Sequence, residues 1–378
     1  MSELTIAADP EIPYLESLLP ANKVNLIRFD PDKPLTEIAA VADALFIRTV
    51  TRINSTSLPH PGRLKLLATA SAGVEHTDQD HLKRIGVRFA SAPGCNANAV
   101  GEYVATAILV WCDHYRVNPS AITLGIVGCG NTGLAVKQIM TRFGTNVVAY
   151  DPPRAISDPG FKSASLEDVL KSDILSFHVP LTLKGDFSTW HWLDENKLSS
   201  HRFSLVINAS RGGVVDETAL LSAMNEGFVQ DYIADVWENE PVINNDIASF
   251  AFLSSPHIAG YSVQAKFNGS LMVCSKASVF FGFELNEFEQ PAAVQVPEII
   301  SARNLGHLLL QIHPVGRYHE AMRKIRSKDD ALKKKLFAKL RNAVPLRDEY
   351  PYLRIPPALL NTWPELRLLC RNRHSKYL

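Results

Sequence analysis

The chain of 378 residues carries 39 Lys+Arg against 39 Asp+Glu, a formal net charge of zero, with 46% apolar and 21% charged residues. That balance excludes a disordered, collagen-like or disulfide-stapled chain, and the length predicts two or three domains rather than a single core. Five cysteines (Cys95, Cys112, Cys129, Cys274, Cys370) are odd in number and never spaced C-x-x-C, which predicts free thiols in a reducing compartment.

The opening MSELTIAADPEIPY lacks the basic-then-apolar pattern of a secretory signal. The longest strongly apolar run, Val104 to Cys112, is far short of the ~20 residues of a membrane helix, so a cytoplasmic protein without a membrane partner is expected. Residues 44–50 (ALFIRTV) and 64–71 (LKLLATAS) read as strands, and 81–87 (HLKRIGV) as a helix with a glycine stop before the strand of VRFASAPG. Residues 102–112 predict a helix that is apolar on nearly every face. From Ile122 the strand LGIVG, a glycine turn, the helix LAVKQIMTRFG and the strand NVVAYD make one βαβ unit. Three more strands follow at 173–181, 204–213 and 230–237, and the series closes near 255–262. After Gly282 the stretch 283–300 reads as a linker or irregular strand. Residues 301–378 hold 17 basic and 6 acidic side chains, leaving 22 basic and 33 acidic for residues 1–300. Zero net charge is therefore the sum of an acidic body and a basic tail. Within that tail KKKL (333–336) predicts a solvated helical face.

Gly128-Cys129-Gly130-Asn131-Thr132-Gly133 follows a predicted strand and opens a helix. The first glycine permits a tight turn, the second lets a pyrophosphate approach the backbone, and the third lets helix and strand pack closely. The helix N-terminus then offers N–H groups and a positive dipole end to phosphates. The next strand ends in Asp151, whose carboxylate suits ribose hydroxyls and repels a 2′-phosphate, which favours NAD over NADP. Arg154 close behind softens that preference.

Arg211 in INASRGGVVD, Glu240 in DVWENEP and His257 in SPHIAGYS each sit just past a strand end, where open α/β sheets bind ligands. These motifs resemble the D-isomer-specific 2-hydroxyacid dehydrogenases over about residues 40–285, and the resemblance implies that Arg211, Glu240 and His257 are catalytic. RTVTRIN (48–54), APGCNANAV (92–100), DPPR (151–154) and SPHIAGYSVQAK (255–266), with a C-terminal segment of this length, narrow it to a branch acting on a phosphorylated 2-hydroxy acid. The resemblance further implies cofactor contacts at Val179, Ala209, Ser210, Asp235 and Gly260 and substrate contacts at Thr49, Ser71 and Tyr261. The implied fold is a Rossmann-type doubly wound dinucleotide-binding domain (96–257), a split flavodoxin-like substrate domain (1–95 and 258–285), and a small α+β C-terminal dimerisation domain (286–378) that makes a homodimer. No nucleic-acid partner is expected.

The chemistry of the residues fits. A histidine near its unperturbed pKa of ~6.5 exchanges protons at neutral pH, a carboxylate beside it fixes the tautomer, and a guanidinium clamps a planar carboxylate bidentately. Arg48 and Arg52, on one strand, would share a face and bring at least one cation to a substrate phosphate. His76, Asp78, Asp80 and His81 resemble a metal cluster, but the acidic residues read better as helix caps, so no metal is expected. His178 reads as a wall of the cofactor cleft. Two other readings stay open on sequence alone: a dehydrogenase of another D-2-hydroxy acid, such as phosphoglycerate, and an NAD(H)-sensing interaction protein of the same fold.

Overall fold

Short runs of branched and aliphatic residues form two all-parallel sheets whose central strands are buried on both faces. The computed structural model describes residues 4–296, 302–325 and 329–370. The chain divides into two units, Met1–Asn96 with Ser262–Ala292, and Ala97–Tyr261 with Ala293–Leu378.

In the first unit β1 (Leu4–Ala8), β2 (Val24–Arg28), β3 (Ala44–Ile47), β4 (Leu66–Thr69) and β5 (Arg88–Ser91) lie in the order β2-β1-β3-β4-β5, the flavodoxin-like arrangement. The helix Val263–Phe281 returns to this unit. Its Phe267, Leu271, Cys274 and Ala277 pack with Ile6, Phe46 and Ala68. Gly269 allows the close approach, since a Cβ there would lie 2.9 Å from the Ala70 carbonyl oxygen. The expected strand 44–50 is too long: β3 ends at Ile47, and Thr51 N–H closes a turn on the Arg48 carbonyl at 3.1 Å. Arg48 and Arg52 therefore do not share a strand face. Pairing with β4 runs out at Ile47–Thr69, and nothing beyond it can hold the chain extended.

In the second unit β6 (Thr123–Val127), β7 (Asn146–Tyr150), β8 (Ile174–Phe177), β9 (Phe203–Asn208), β10 (Val229–Ala234) and β11 (Leu253–Ser254) lie in the order β11-β10-β9-β8-β6-β7. The order reverses between β6 and β8, which opens a crevice at their carboxyl ends. The helix Ala97–Tyr115, buried along most of its length, packs on the helix Asn131–Arg142, with Gly101 against Ala135.

The stretch from Phe283 to Ala293 has no regular structure, as the sequence predicts, and leads to β12 (Val294–Gln295), which pairs with β13 (Leu353–Arg354). The helices Leu305–Ile312, Val315–Lys324 and Asp330–Asn342 carry most of the described basic side chains of this segment. KKKL is not wholly a solvated face. Lys333 is buried, because it shares a face with Phe337 four residues on, and its ammonium donates to the Ile243 carbonyl at 3.2 Å.

A buried polar knot fastens this segment to the helix Ala97–Tyr115. Arg347 Nη1 donates to Glu102 Oε2 at 2.6 Å, Arg347 Nη2 donates to the Ala99 carbonyl at 2.9 Å, and Tyr350 N–H donates to Glu102 Oε1 at 3.0 Å. Burial pushes the Glu102 carboxyl up to about 8, against the pull of Arg347. The folded protein thus holds a proton that the unfolded chain releases near 4.5, so this stabilisation is complete below that pH and is lost as pH rises through about 8. Glu102→Gln is expected to remove that loss, at most about 1.4 kcal/mol per pH unit. Denaturant unfolding at pH 5 and pH 8 should show the wild type losing more stability across the interval than the variant, and equal losses would contradict the assignment.

Candidate active site

The glycine turn follows β6 at the crevice between β6 and β8. Gly128 has φ +86°, and a Cβ there would lie 2.6 Å from Val179 Cγ1 and 2.7 Å from the His178 carbonyl oxygen. A Cβ on Gly133 would meet the Gly128 carbonyl oxygen at 2.0 Å, so the helix starting at Asn131 sits as close to the turn as backbone allows. At Gly130, by contrast, a Cβ would meet nothing within 4 Å, and Gly130 caps the helix without a side-chain hydrogen bond. The turn is closed on the protein side and open on the other, the shape a pyrophosphate fits.

Asp151 follows β7 beside this turn. Its Oδ2 accepts from Cys129 N–H at 2.8 Å and its Oδ1 from Arg154 N–H at 3.1 Å. Arg154 lies over the Phe161 ring at 4.4 Å, donates through Nη1 to the Cys129 carbonyl at 2.5 Å, and donates through Nε and Nη2 to Asp158 Oδ2 at 3.2 and 3.0 Å. Val179 and His178 follow β8. His178 Nε2 meets Ser176 Oγ at 2.9 Å, and burial pushes the ring pKa down to about 3, which leaves it a neutral wall. Ala209 and Ser210 follow β9, both buried, with Ser210 Oγ donating to Asn208 Oδ1 at 2.9 Å.

Glu240 and His257 meet directly: His257 Nδ1 lies 2.5 Å from Glu240 Oε1, with the two side chains 28% and 26% exposed. Burial opposes the Glu240 charge, but His257, then Arg341, outweigh it and hold the carboxyl below its ordinary range. His257 has φ +58°, an unfavourable backbone for a side chain this large. Asp235 maintains it. Its backbone carbonyl accepts from His257 N–H at 2.7 Å, its Oδ1 from Ser255 Oγ at 2.6 Å and Ile258 N–H at 2.7 Å, and its Oδ2 from Ala259 N–H at 3.0 Å. Tyr103 OH shares a 2.6 Å hydrogen bond with Ser255 Oγ behind it. Gly260 and Tyr261 complete the loop, with Tyr261 N–H on the Ile258 carbonyl.

Arg211 follows β9, with Nη1 on the Ser210 carbonyl at 2.7 Å and its own carbonyl accepting from Asn208 Nδ2 at 3.0 Å. The next residue, Gly212, lies against the Trp237 carbonyl, where a Cβ would come within 1.9 Å. The segment carrying Arg211 thus abuts the one leading to Glu240, and the three catalytic candidates belong to one neighbourhood.

The remaining candidates belong to the first unit. Thr49 and Arg52 are exposed on the turn after β3. Arg48 Nε donates to Asp9 Oδ1 at 2.9 Å, and Asp9 is fully buried. Ser71 follows β4, bonded to Thr69 Oγ1 at 2.7 Å and to the Gly73 carbonyl at 2.8 Å. Asp78 caps the helix Gln79–Arg84 by accepting from His81 N–H, His81 Nε2 meets the Leu58 carbonyl, and His76 Nε2 meets Thr69 Oγ1.

Two residues at the site gave no signal in the sequence. His191, at φ +48°, places Nδ1 3.3 Å from Asp216 Oδ2 and Nε2 3.1 Å from Glu238 Oε1, and its N–H donates to the Gly213 carbonyl at 2.7 Å. It ties together the segments that carry Arg211 and Glu240. The ligand atoms of His191, Asp216 and Glu238 lie within 4.8 Å of one another, a spacing a cation can span, and each ring nitrogen already faces a carboxylate. Arg341, near the end of the helix Asp330–Asn342, lies over the Tyr261 ring at 5.8 Å. Partners so distant in sequence leave no local pattern to find.

Comparison with known proteins agrees with this geometry. The family described as "D-isomer specific 2-hydroxyacid dehydrogenase, NAD binding domain" matches residues 110–259. Erythronate-4-phosphate dehydrogenase of Bacteroides thetaiotaomicron is 35% identical over 351 residues, covering 92% of this chain and 97% of that one. The enzyme of that name from Idiomarina loihiensis is 40% identical over 281 residues, 74% of each chain. Among solved structures, D-lactate dehydrogenase from Aquifex aeolicus, complexed with NAD and lactic acid, superposes with a TM-score of 0.61 at 23% identity, over 74% of this chain and 95% of that one, a likeness of fold. The chain belongs to the erythronate-4-phosphate dehydrogenases, a branch of the NAD-dependent D-isomer-specific 2-hydroxyacid dehydrogenase family.

Proposed function

We propose that this chain oxidises 4-phospho-D-erythronate at C2 to (R)-3-hydroxy-2-oxo-4-phosphobutanoate, a step toward pyridoxal 5′-phosphate. The observation that carries the mechanism is the His257–Glu240 contact. Glu240, held as a carboxylate, keeps a proton on His257 Nδ1 and leaves Nε2 to take the C2 hydroxyl proton. The imidazolium that forms is stabilised by the same carboxylate. Arg211 binds the C1 carboxylate bidentately and steadies charge on the C2 oxygen as it becomes a carbonyl. NAD supplies the hydride acceptor. Gly128, Gly130, Asn131, Thr132 and Gly133 receive its pyrophosphate, Asp151 its adenosine ribose, and Val179, Ala209, Ser210, Asp235 and Gly260 line its remaining path. Thr49, Ser71 and Tyr261 serve the substrate.

The same reading makes the protein a cytoplasmic homodimer joined through residues 286–378, with no nucleic-acid partner. The free thiols and the opposite charges of body and tail support it. Among the described residues no helix is long and apolar enough to cross a membrane.

NADH formation with 4-phospho-D-erythronate tests the reaction. His257→Ala is expected to lower kcat by about 10³-fold, and Glu240→Gln and Arg211→Lys by about 10²-fold, with NADH affinity kept. Well-folded wild-type protein without turnover on this acid would refute the substrate. Cofactor choice has its own test. Asp151 is read as the ribose contact, and Asp158 occupies Arg154, so that guanidinium is already engaged. Asp151→Ala should raise the NADPH-to-NADH affinity ratio about tenfold, and adding Asp158→Asn should raise it further by freeing Arg154. Fluorescence titration of both reduced cofactors measures it, and an unchanged ratio in both variants contradicts the assignment.

A further inference from the structure

The substrate named above carries two anionic ends, and the catalytic trio accounts for one. Arg211 takes the carboxylate. The sequence points to Arg48 or Arg52 for the phosphate; the turn after Ile47 separates their faces and Arg48 is drawn to the buried carboxylate of Asp9, which leaves the exposed Arg52 of that pair.

A different cation stands beside the dyad. The helix Asp330–Asn342 is fixed by Phe337, which is buried in the core of the dinucleotide-binding sheet, and by Lys333, whose ammonium is on the carbonyl of Ile243, three residues after Glu240. One turn beyond Phe337, Arg341 is thereby directed at the site. Its guanidinium lies 5.8 Å from the Tyr261 ring centroid, four residues after His257, and is near enough to Glu240 to help hold its carboxyl charged. Arg341 Nε is buried and has no hydrogen-bond partner. A buried, unpaired charged donor is costly to leave unmet, and a guanidinium edge is the shape that binds phosphate bidentately. The phosphate of this substrate lies a few bonds beyond C2, the carbon that His257 serves.

We propose that Arg341, supplied by the basic C-terminal segment, binds the substrate's phosphate and sets the enzyme's preference for a phosphorylated 2-hydroxy acid. The aromatic face of Tyr261 orients the guanidinium from one side and leaves its edge to the ligand. The C-terminal segment is then part of the substrate site as well as a candidate interface. This inference rests on the 4-phospho-D-erythronate reading and sharpens it.

Steady-state kinetics on the full-length enzyme with 4-phospho-D-erythronate and with unphosphorylated D-erythronate test it. Arg341→Met should raise KM for the phosphorylated acid roughly 10- to 100-fold, well beyond any loss it causes on D-erythronate through Glu240, and leave KM for NAD unchanged. Arg341→Lys should recover part of the loss, and Arg341→Gln, which is polar but uncharged, should resemble Met. If kcat falls equally on both acids and its pH profile shifts, Arg341 acts through Glu240 alone and the proposal is overturned. Unchanged discrimination in all three variants overturns it as well, while leaving the substrate reading intact. A wild-type enzyme that turns over but does not prefer the phosphorylated acid refutes both together.

Discussion

The carboxylate of Asp235 is the fixed point of the catalytic half of this molecule. Its oxygens accept from Ser255, Ile258 and Ala259, and its backbone carbonyl takes the His257 N–H. Those bonds hold His257 in a left-handed conformation that costs of order 1–3 kcal/mol and that a free chain would abandon. They point its ring at Glu240. Remove the anchor and the dyad has no reason to form, because Glu240 and His257 come from loops after different strands. Behind Asp235 the support continues through Ser255 to Tyr103, so the helix Ala97–Tyr115 is also part of the device. The resemblance places Asp235 among the cofactor contacts, and the structure gives its carboxylate to the loop.

The same logic of distant segments fastened by buried polar groups recurs around the site. Gly212 brings the Arg211 turn against Trp237, His191 bridges Asp216 and Glu238, and Glu238 N–H donates to Glu217 Oε1 at 2.9 Å. Burial pushes the Glu217 carboxyl up to about 8, and the nearby charges of Glu238 and Glu240 push the same way. Three of the non-glycine residues at positive φ, His191, Asn239 and His257, gather in these segments. Strained backbone concentrated there is what a site held to one geometry requires.

Features set by local pattern were legible in the sequence. The strands of the second sheet follow from apolar runs bounded by polar ends, and Gly128 and Gly133 show the tight turn and close packing that their spacing implies. Features set by long-range partners were not. β3 stops at Ile47 because its neighbour stops, a fact that RTVTRIN does not contain. Lys333 reads as solvated until Phe337 and Ile243 are seen beside it. His191 and Arg341 acquire meaning only from residues 25 to about 100 positions away. Charge lies between these cases. The acidic body and basic tail were countable, and in the fold Arg347 of the tail meets Glu102 of the body. The tail's basicity thus serves in part to attach it to its own chain.

The central claim is that the neighbourhood of Arg211, Glu240 and His257 removes hydride from C2 of a phosphorylated 2-hydroxy acid. The most direct measurement is the fate of the hydrogen on that carbon. With 4-phospho-D-erythronate deuterated at C2, the account predicts that the deuterium appears in the reduced nicotinamide and not in solvent, together with a primary isotope effect once chemistry limits the rate, as in the Arg211→Lys enzyme. Deuterium lost to water, or retained in the organic product while NADH forms, would contradict it.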